Sequence, residues 1–307
     1  MAGIELEMAN LSKTPCIDGA LAVMVATKKN LGAGEPTTGG CLEIESSELL
    51  AINKRIMNKI ILLGSFCLGG EAWWTNFAPQ FQRLTGCIEE LLYELDRARK
   101  TILGHAQDIS CERMRINDLM AILNNTRNQI LASPLMDPAA AGILDTQTAG
   151  AAIARHNEQL KYLRNSVALL VMRINSYCFP LEQCLAGALI RGETGTAVSS
   201  ATGDLSMPTE QLMGTSEALS EYAVELETQH CGSELLEEVE VTHGWFSARD
   251  SLPALSRFVK LHDSLLALVG QEIRLQAKNL GDAALRYLRT DAVSAELVSS
   301  AAANSPI

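Results

Sequence analysis

Residues 80–132 read QFQRLTGCIEELLYELDRARKTILGHAQDISCERMRINDLMAILNNTRNQILA, and the register of this stretch decides the fold. Steps of seven from Phe81 land on Ile88, Leu95, Ile102, Ile109, Ile116, Leu123 and Ile130, with no proline and only Gly86 and Gly104 in between. An apolar residue at every seventh position is the seam of a helix that lies against other helices. Three residues further on, the series is Leu84, Leu91, Ala98, His105, Glu112, Leu119 and Thr126, so His105 and Glu112 predict a polar layer in an otherwise apolar contact. At 1.5 Å per residue the segment is a rod of about 75–80 Å.

Working outward, Ser46 or Ser47 is the expected cap of a helix burying Leu49, Ile52, Ile56, Ile60 and Leu63. Between it and the long helix lies a glycine-rich aromatic stretch in which Trp73, Trp74 and Phe77 offer an anchor for a partner. Downstream, Ser133-Pro134 and Asp137-Pro138 break the pattern. A second seam then runs through Ile153, Leu160, Val167, Ile174 and Leu181, and Pro180 predicts a kink near Tyr177. Two seams across a short loop predict an antiparallel, coiled-coil-like hairpin within a helical domain 46–192.

Residues 193–205 read as a flexible linker, and 206–290 as a C-terminal helical pair. The first helix of that pair is expected to begin after Ser206, with Pro208 in its first turn, and to bury Leu212, Leu219, Tyr222 and Leu226. Its companion is expected to start at Ser251, with Pro253 in the first turn, and to bury Leu252, Val259, Leu266, Ile273, Leu280 and Tyr287. The glycine-punctuated residues 1–45 are expected to form an extended or flexible arm, and 291–307 a frayed tail. The fold class is therefore all-α, an elongated helical bundle.

Composition agrees. Aromatics are 5% of the chain while the apolar fraction is 47%, a balance of straight-chain residues and alanine that favours helix over sheet. The net charge of −11 has a single source: residues 193–245 hold eleven acidic side chains and neither lysine nor arginine. Such a balance disfavours nonspecific nucleic-acid binding, which needs clustered cations. Glu217, Glu221 and Glu225 on the acidic helix are candidate interface residues, steering a partner by charge. The eight cysteines contain no C-x-x-C pair and read as thiols of a reducing compartment. There is no basic leader and no apolar run of 18 residues, so an intracellular, cytoplasmic protein without a membrane span is expected.

Catalytic motifs are missing. The glycine-rich stretches 31–40 and 192–203 lack the lysine of a phosphate-binding loop, and neither Gly-x-Ser-x-Gly nor His-Glu-x-x-His occurs. His230, Cys231 and His243 lack a further ligand at a fixed spacing, so no metal and no cofactor is expected. His105, His156 and His262 all follow an apolar heptad residue by three and predict polar layers, with Asn157 or Gln276 as partners for His105. The expected function is non-enzymatic: a structural or adaptor protein that assembles through helix packing, with protein partners and self-association. The alternative is a viral helical assembly protein, a nucleoprotein or matrix-like subunit linked by terminal arms. In that case Arg97, Arg99, Lys100, Arg113 and Arg115 are the candidate nucleic-acid contacts, although Glu89, Glu90, Glu94 and Asp96 alongside make ordinary surface charge the simpler reading.

Overall fold

A computed structural model of the chain describes residues 13–35, 38–66, 78–192, 209–229 and 232–303. The described residues form six helices and no strand: α1 Pro15–Asn30, α2 Gly40–Phe66, α3 Ala78–Ala132, α4 Pro138–Gly192, α5 Thr209–Thr228 and α6 Gly232–Ala303. The fold is all-α, as the heptad pattern requires. All eight residues of the seam, Phe81 through Ile130, are buried. So are the apolar positions predicted for α2, together with Leu212, Leu219 and Leu226 of α5 and Val259, Leu266, Ile273 and Leu280 of α6.

The described parts of the chain divide into two compact units. One is built from Met1–Gly40, Ala98–Asn175 and Ser233–Ser256, the other from Cys41–Arg97, Ser176–Gly232 and Arg257–Ile307. Neither follows the linear division into arm, hairpin and C-terminal pair. In the first unit Ile17, Met24 and Leu31 share a core with Ile109, Ile116, Leu123 and Ile130 of α3 and with Ala149, Ala152 and Leu163 of α4. Here His105 meets Ser166 and Glu112 faces His156, so α3 and α4 run antiparallel in this unit.

Several expectations are corrected. The arm predicted over 1–45 is helical from Pro15 to Asn30, and Ile17, Ala20 and Met24 form its buried stripe. Proline is well placed in the first turn, where its missing N–H costs nothing. No side chain of α1 caps it; instead the Asp145 carboxylate on α4 accepts the N–H groups of Cys16 and Ile17 at 3.0 and 2.9 Å. Gly19 is tolerated because its position faces open space. Helix α2 begins at Gly40, and Ser46 and Ser47 lie inside it, donating back to the carbonyls of Leu42 and Glu43 rather than capping. Helix α4 continues through Pro180 to Gly192, with Tyr177 and Leu181 buried on either side of the proline. The tail expected from 291 is helical to Ala303, in a stretch rich in the best helix former. The linker 193–205 and Pro208 lie outside the described residues.

Helix α6 contains a break in place of the predicted start at Ser251. Gly244 takes φ 67°, ψ 172°, a left-handed region suited to glycine, and Pro253 lies well inside the second arm. The break frees the carbonyls of Thr242 and His243, which accept the N–H groups of Gly34 (2.9 Å) and Gly32 (3.2 Å). Two backbones cross here with no room for a side chain: a Cβ on Gly32 would sit 2.2 Å from the Thr242 oxygen, and one on Gly244 2.1 Å from the Gly32 nitrogen. Arg113 braces the crossing, donating to the carbonyls of Leu31 and Gly32 at 3.0 and 2.9 Å.

Candidate functional site

The polar layer that the heptad pattern places at His105 and Glu112 falls on two buried side chains. Its partners differ from those expected. His105 Nδ1 lies 2.9 Å from Ser166 Oγ, and Ser166 in turn donates to Asp108. With that proton committed to Asp108, the serine oxygen accepts from Nδ1–H, and His105 Nε2 is left without a hydrogen-bond partner. The edge of the His243 ring meets His105, with ring centroids 4.8 Å apart and planes at 79°. Burial pushes His105 down to about 4, against the upward pull of the Asp108 charge. It pushes His243 down to about 3, with His105 adding to the effect. The Ile102 backbone opposes the shift, though neither nitrogen of His243 makes a well-aligned hydrogen bond. Both imidazoles are neutral at physiological pH.

Two turns along α3, burial raises Glu112 to about 7, partly offset by Arg115 at 3.9 Å. Across from it His156 is held below its ordinary value by burial, with Nδ1 3.9 Å from the Glu112 carboxyl. Thr27 of α1 donates to the Val23 carbonyl, so its oxygen accepts from His156 Nε2–H at 3.1 Å. The second layer thus ties α1, α3 and α4 together through one histidine.

A pocket of about 360 Å³ opens beside the first layer, lined among others by Lys100, His105, Asp108, Tyr162, Ser166 and Arg173. Serine, histidine and aspartate meet here, but in the wrong order for hydrolysis. A nucleophilic serine gives its proton to imidazole, and the carboxylate orients that imidazole. Ser166 gives its proton to the carboxylate, and imidazole donates to the serine oxygen. The trio pins α3 to α4 and leaves no activated nucleophile.

The other predicted residues are dispersed. Arg97 is paired with Glu94 at 2.8 Å and lies over the rings of Tyr177 (4.3 Å) and Tyr93 (5.3 Å), while burial raises the Glu94 carboxyl. Arg113 is engaged by backbone carbonyls, Arg115 by Glu112, Arg99 packs beside Gly39, and Lys100 lines the pocket. Arg97 belongs to the second unit, and Arg99, Lys100, Arg113 and Arg115 to the first. Glu217 and Glu221 are exposed, but Glu225 forms a two-pronged ion pair with Arg55, which also lies 4.7 Å from the Tyr222 ring centre. Trp73, Trp74, Phe77, His230 and Cys231 lie outside the described residues. His262 is buried between Glu45 and Asp263 in the second unit.

Sequence reasoning missed His243 as a partner of His105, Ser166 with Asp108, and Asp145 as the cap of α1. No local signal marks them, because each partner lies on a different helix. Among the described residues no group of His, Cys, Asp and Glu is arranged to hold a metal ion, and no helix is long and apolar enough to cross a membrane. Compared with known proteins, the chain matches no family model, no curated protein and no solved structure.

Proposed function

We propose that this protein is a non-enzymatic assembly component that associates with copies of itself through helix packing, in a reducing compartment of the cell. The observation that carries this reading is a second apolar row on α4. Tyr162, Leu169 and Met172, spaced seven and three apart, share one helix face and are 59%, 48% and 59% exposed. Such a row is what a further helix packs against.

Charge supports a second copy as the occupant. Around the row, Arg155, Lys161 and Arg173 are exposed, with Glu158 the one exposed acid on the same stretch. The chain itself supplies the complement, since residues 193–245 carry eleven acids and no base, with Glu217 and Glu221 exposed on α5. A basic, apolar surface meeting a different, acidic surface of the next copy is a heterologous contact, which closes rings or extends chains.

Light-scattering mass after size exclusion, over a range of concentration and salt and with nuclease treatment, tests the reading. Concentration-dependent oligomers that shrink with salt, and that Leu169→Asp or a Glu217→Lys/Glu221→Lys pair dissociates, are expected. A monomer at every attainable concentration overturns it. Nuclease-sensitive particles of high 260/280 nm absorbance would replace it with encapsidation of nucleic acid.

A further inference from the structure

The second unit contains a pocket of about 660 Å³, roughly twice the size of the one beside His105. Cys87 of α3 and Cys184 of α4 both line it, with Arg83 and Glu90 on the α3 side. The two thiols line it from two different helices, close enough for each to act on the other's proton. They are 97 positions apart in sequence, so no C-x-x-C spacing announces them.

We propose that Cys87 and Cys184 are an oxidative modification site, a dithiol that a peroxide entering this pocket converts reversibly to a disulfide between α3 and α4. Access and chemistry both favour it. Gly86 and Gly187 line the same pocket, and a Cβ at either would meet nothing within 4 Å, so the pocket wall is open at these two positions, while Cys87 is buried and Cys184 half-buried. The hydrogen bond from Cys184 is the main cause that brings Cys87 down to about 7; burial opposes it, Arg83 assists and Glu90 counters. The same bond, with burial, raises Cys184. Arg83, one turn before Cys87 on α3 and in the same pocket, favours a thiolate there, so Cys87 is assigned as the attacking sulfur and Cys184 as the resolving thiol.

The balance is simple. The Cys87 thiolate attacks one peroxide oxygen; an S–O bond forms, the O–O bond breaks, and the departing hydroxide takes up a proton as water. Cys87, now a sulfenic acid, has been oxidised by two electrons and the peroxide reduced. The Cys184 sulfur then attacks the Cys87 sulfur, and the displaced hydroxide leaves as water with the Cys184 proton. Two thiols and one peroxide yield one disulfide and two waters. Glutathione reverses the change, which suits a cytosolic redox site better than a permanent structural bridge.

The full-length chain, stripped of reductant, is exposed to limiting hydrogen peroxide, quenched by alkylation and mapped by peptide mass spectrometry. A linked peptide pair joining Cys87 to Cys184, two hydrogens lighter than the sum and restored by glutathione, is expected. It should form about tenfold faster than oxidation at the exposed Cys111. Cys184→Ser should leave a sulfenic acid on Cys87 that dimedone traps, and Cys87→Ser should leave Cys184 reduced. Recovery of both wild-type thiols in alkylated form after peroxide, or linkages scattered among Cys16, Cys111 and others, overturns the proposal. The wild-type map decides the matter even if a variant fails to fold.

Discussion

Replacing His262 with leucine should destabilise the second unit in a way that depends on pH. The imidazole is fully buried, with Nδ1 2.9 Å from Asp263 and Nε2 2.8 Å from Glu45, the latter off the line of a well-formed hydrogen bond. Burial alone would lower the imidazole. The interactions with Asp263 and Glu45 outweigh it and raise His262 to about 9. A rise from the ordinary 6.5 to that value corresponds to about 3 kcal/mol of stability. Because the folded value is the higher one, this contribution is complete below about pH 6.5 and is lost as pH climbs through about 9. Leucine also strands the buried Glu45 carboxylate, so the total cost at neutral pH should be about 3–5 kcal/mol. Adding Glu45→Gln should recover part of that loss, giving a coupling of about 2 kcal/mol between the two positions. Urea unfolding followed by circular dichroism, for the wild type and the three variants at pH 6, 7.5 and 9, measures every term. A wild-type advantage over His262→Leu that does not shrink between pH 6.5 and 9, or a double variant whose loss equals the sum of the singles, would refute the reasoning.

His105 and His243 behave oppositely, because their folded values of about 4 and 3 are depressed. Their stability contribution is present above pH 6.5 and lost as pH falls toward those values, so His243→Phe should flatten the acid limb of a thermal-melt series between pH 3.5 and 7. Gly244→Ala should cost about 3 kcal/mol or more, since it adds a Cβ at φ 67° and 2.1 Å from the Gly32 nitrogen. Gly19→Ala, whose Cβ meets nothing, should gain about 0.5–1 kcal/mol in the same chemical denaturation. Glu225→Ala should cost less than about 1 kcal/mol, because its pair with Arg55 is 42% and 43% exposed; a larger loss would mean that the acidic helix depends on that pair for its place.

The helices were legible where burial follows a local period. Phe81 to Ile130 repeat every seven residues, and a face that repeats in sequence must be covered in space. The same period exposed His105 and Glu112 as polar intrusions but could not name Ser166, His156 or His243, because sequence spacing fixes a face and not the neighbour upon it. Helix α1 was missed for a related reason. Its apolar stripe is short, and the groups that terminate it come from Asp145, some 130 residues away. Cys87 and Cys184 stayed hidden because a motif search reads adjacent positions, whereas these thiols meet across two helices. The outer row of Tyr162, Leu169 and Met172 was visible as letters, but only the structure separates an apolar residue that is covered from one that is not.

The crossing of Gly32 and Gly244 sets a timetable for the chain. A nascent polypeptide emerging from the ribosome presents Ile17, Ala20 and Met24 long before Thr242 and His243 exist to accept the N–H groups of Gly34 and Gly32. The first unit cannot close until synthesis has passed residue 256, and the second draws on the part of α6 beyond that point. Closure of contacts so distant in sequence is slow, and apolar surface stays open while it waits. Neither unit is therefore complete before α6 has emerged, and a truncated product lacking α6 would leave the stripe of α1 without its backbone anchor at the crossing.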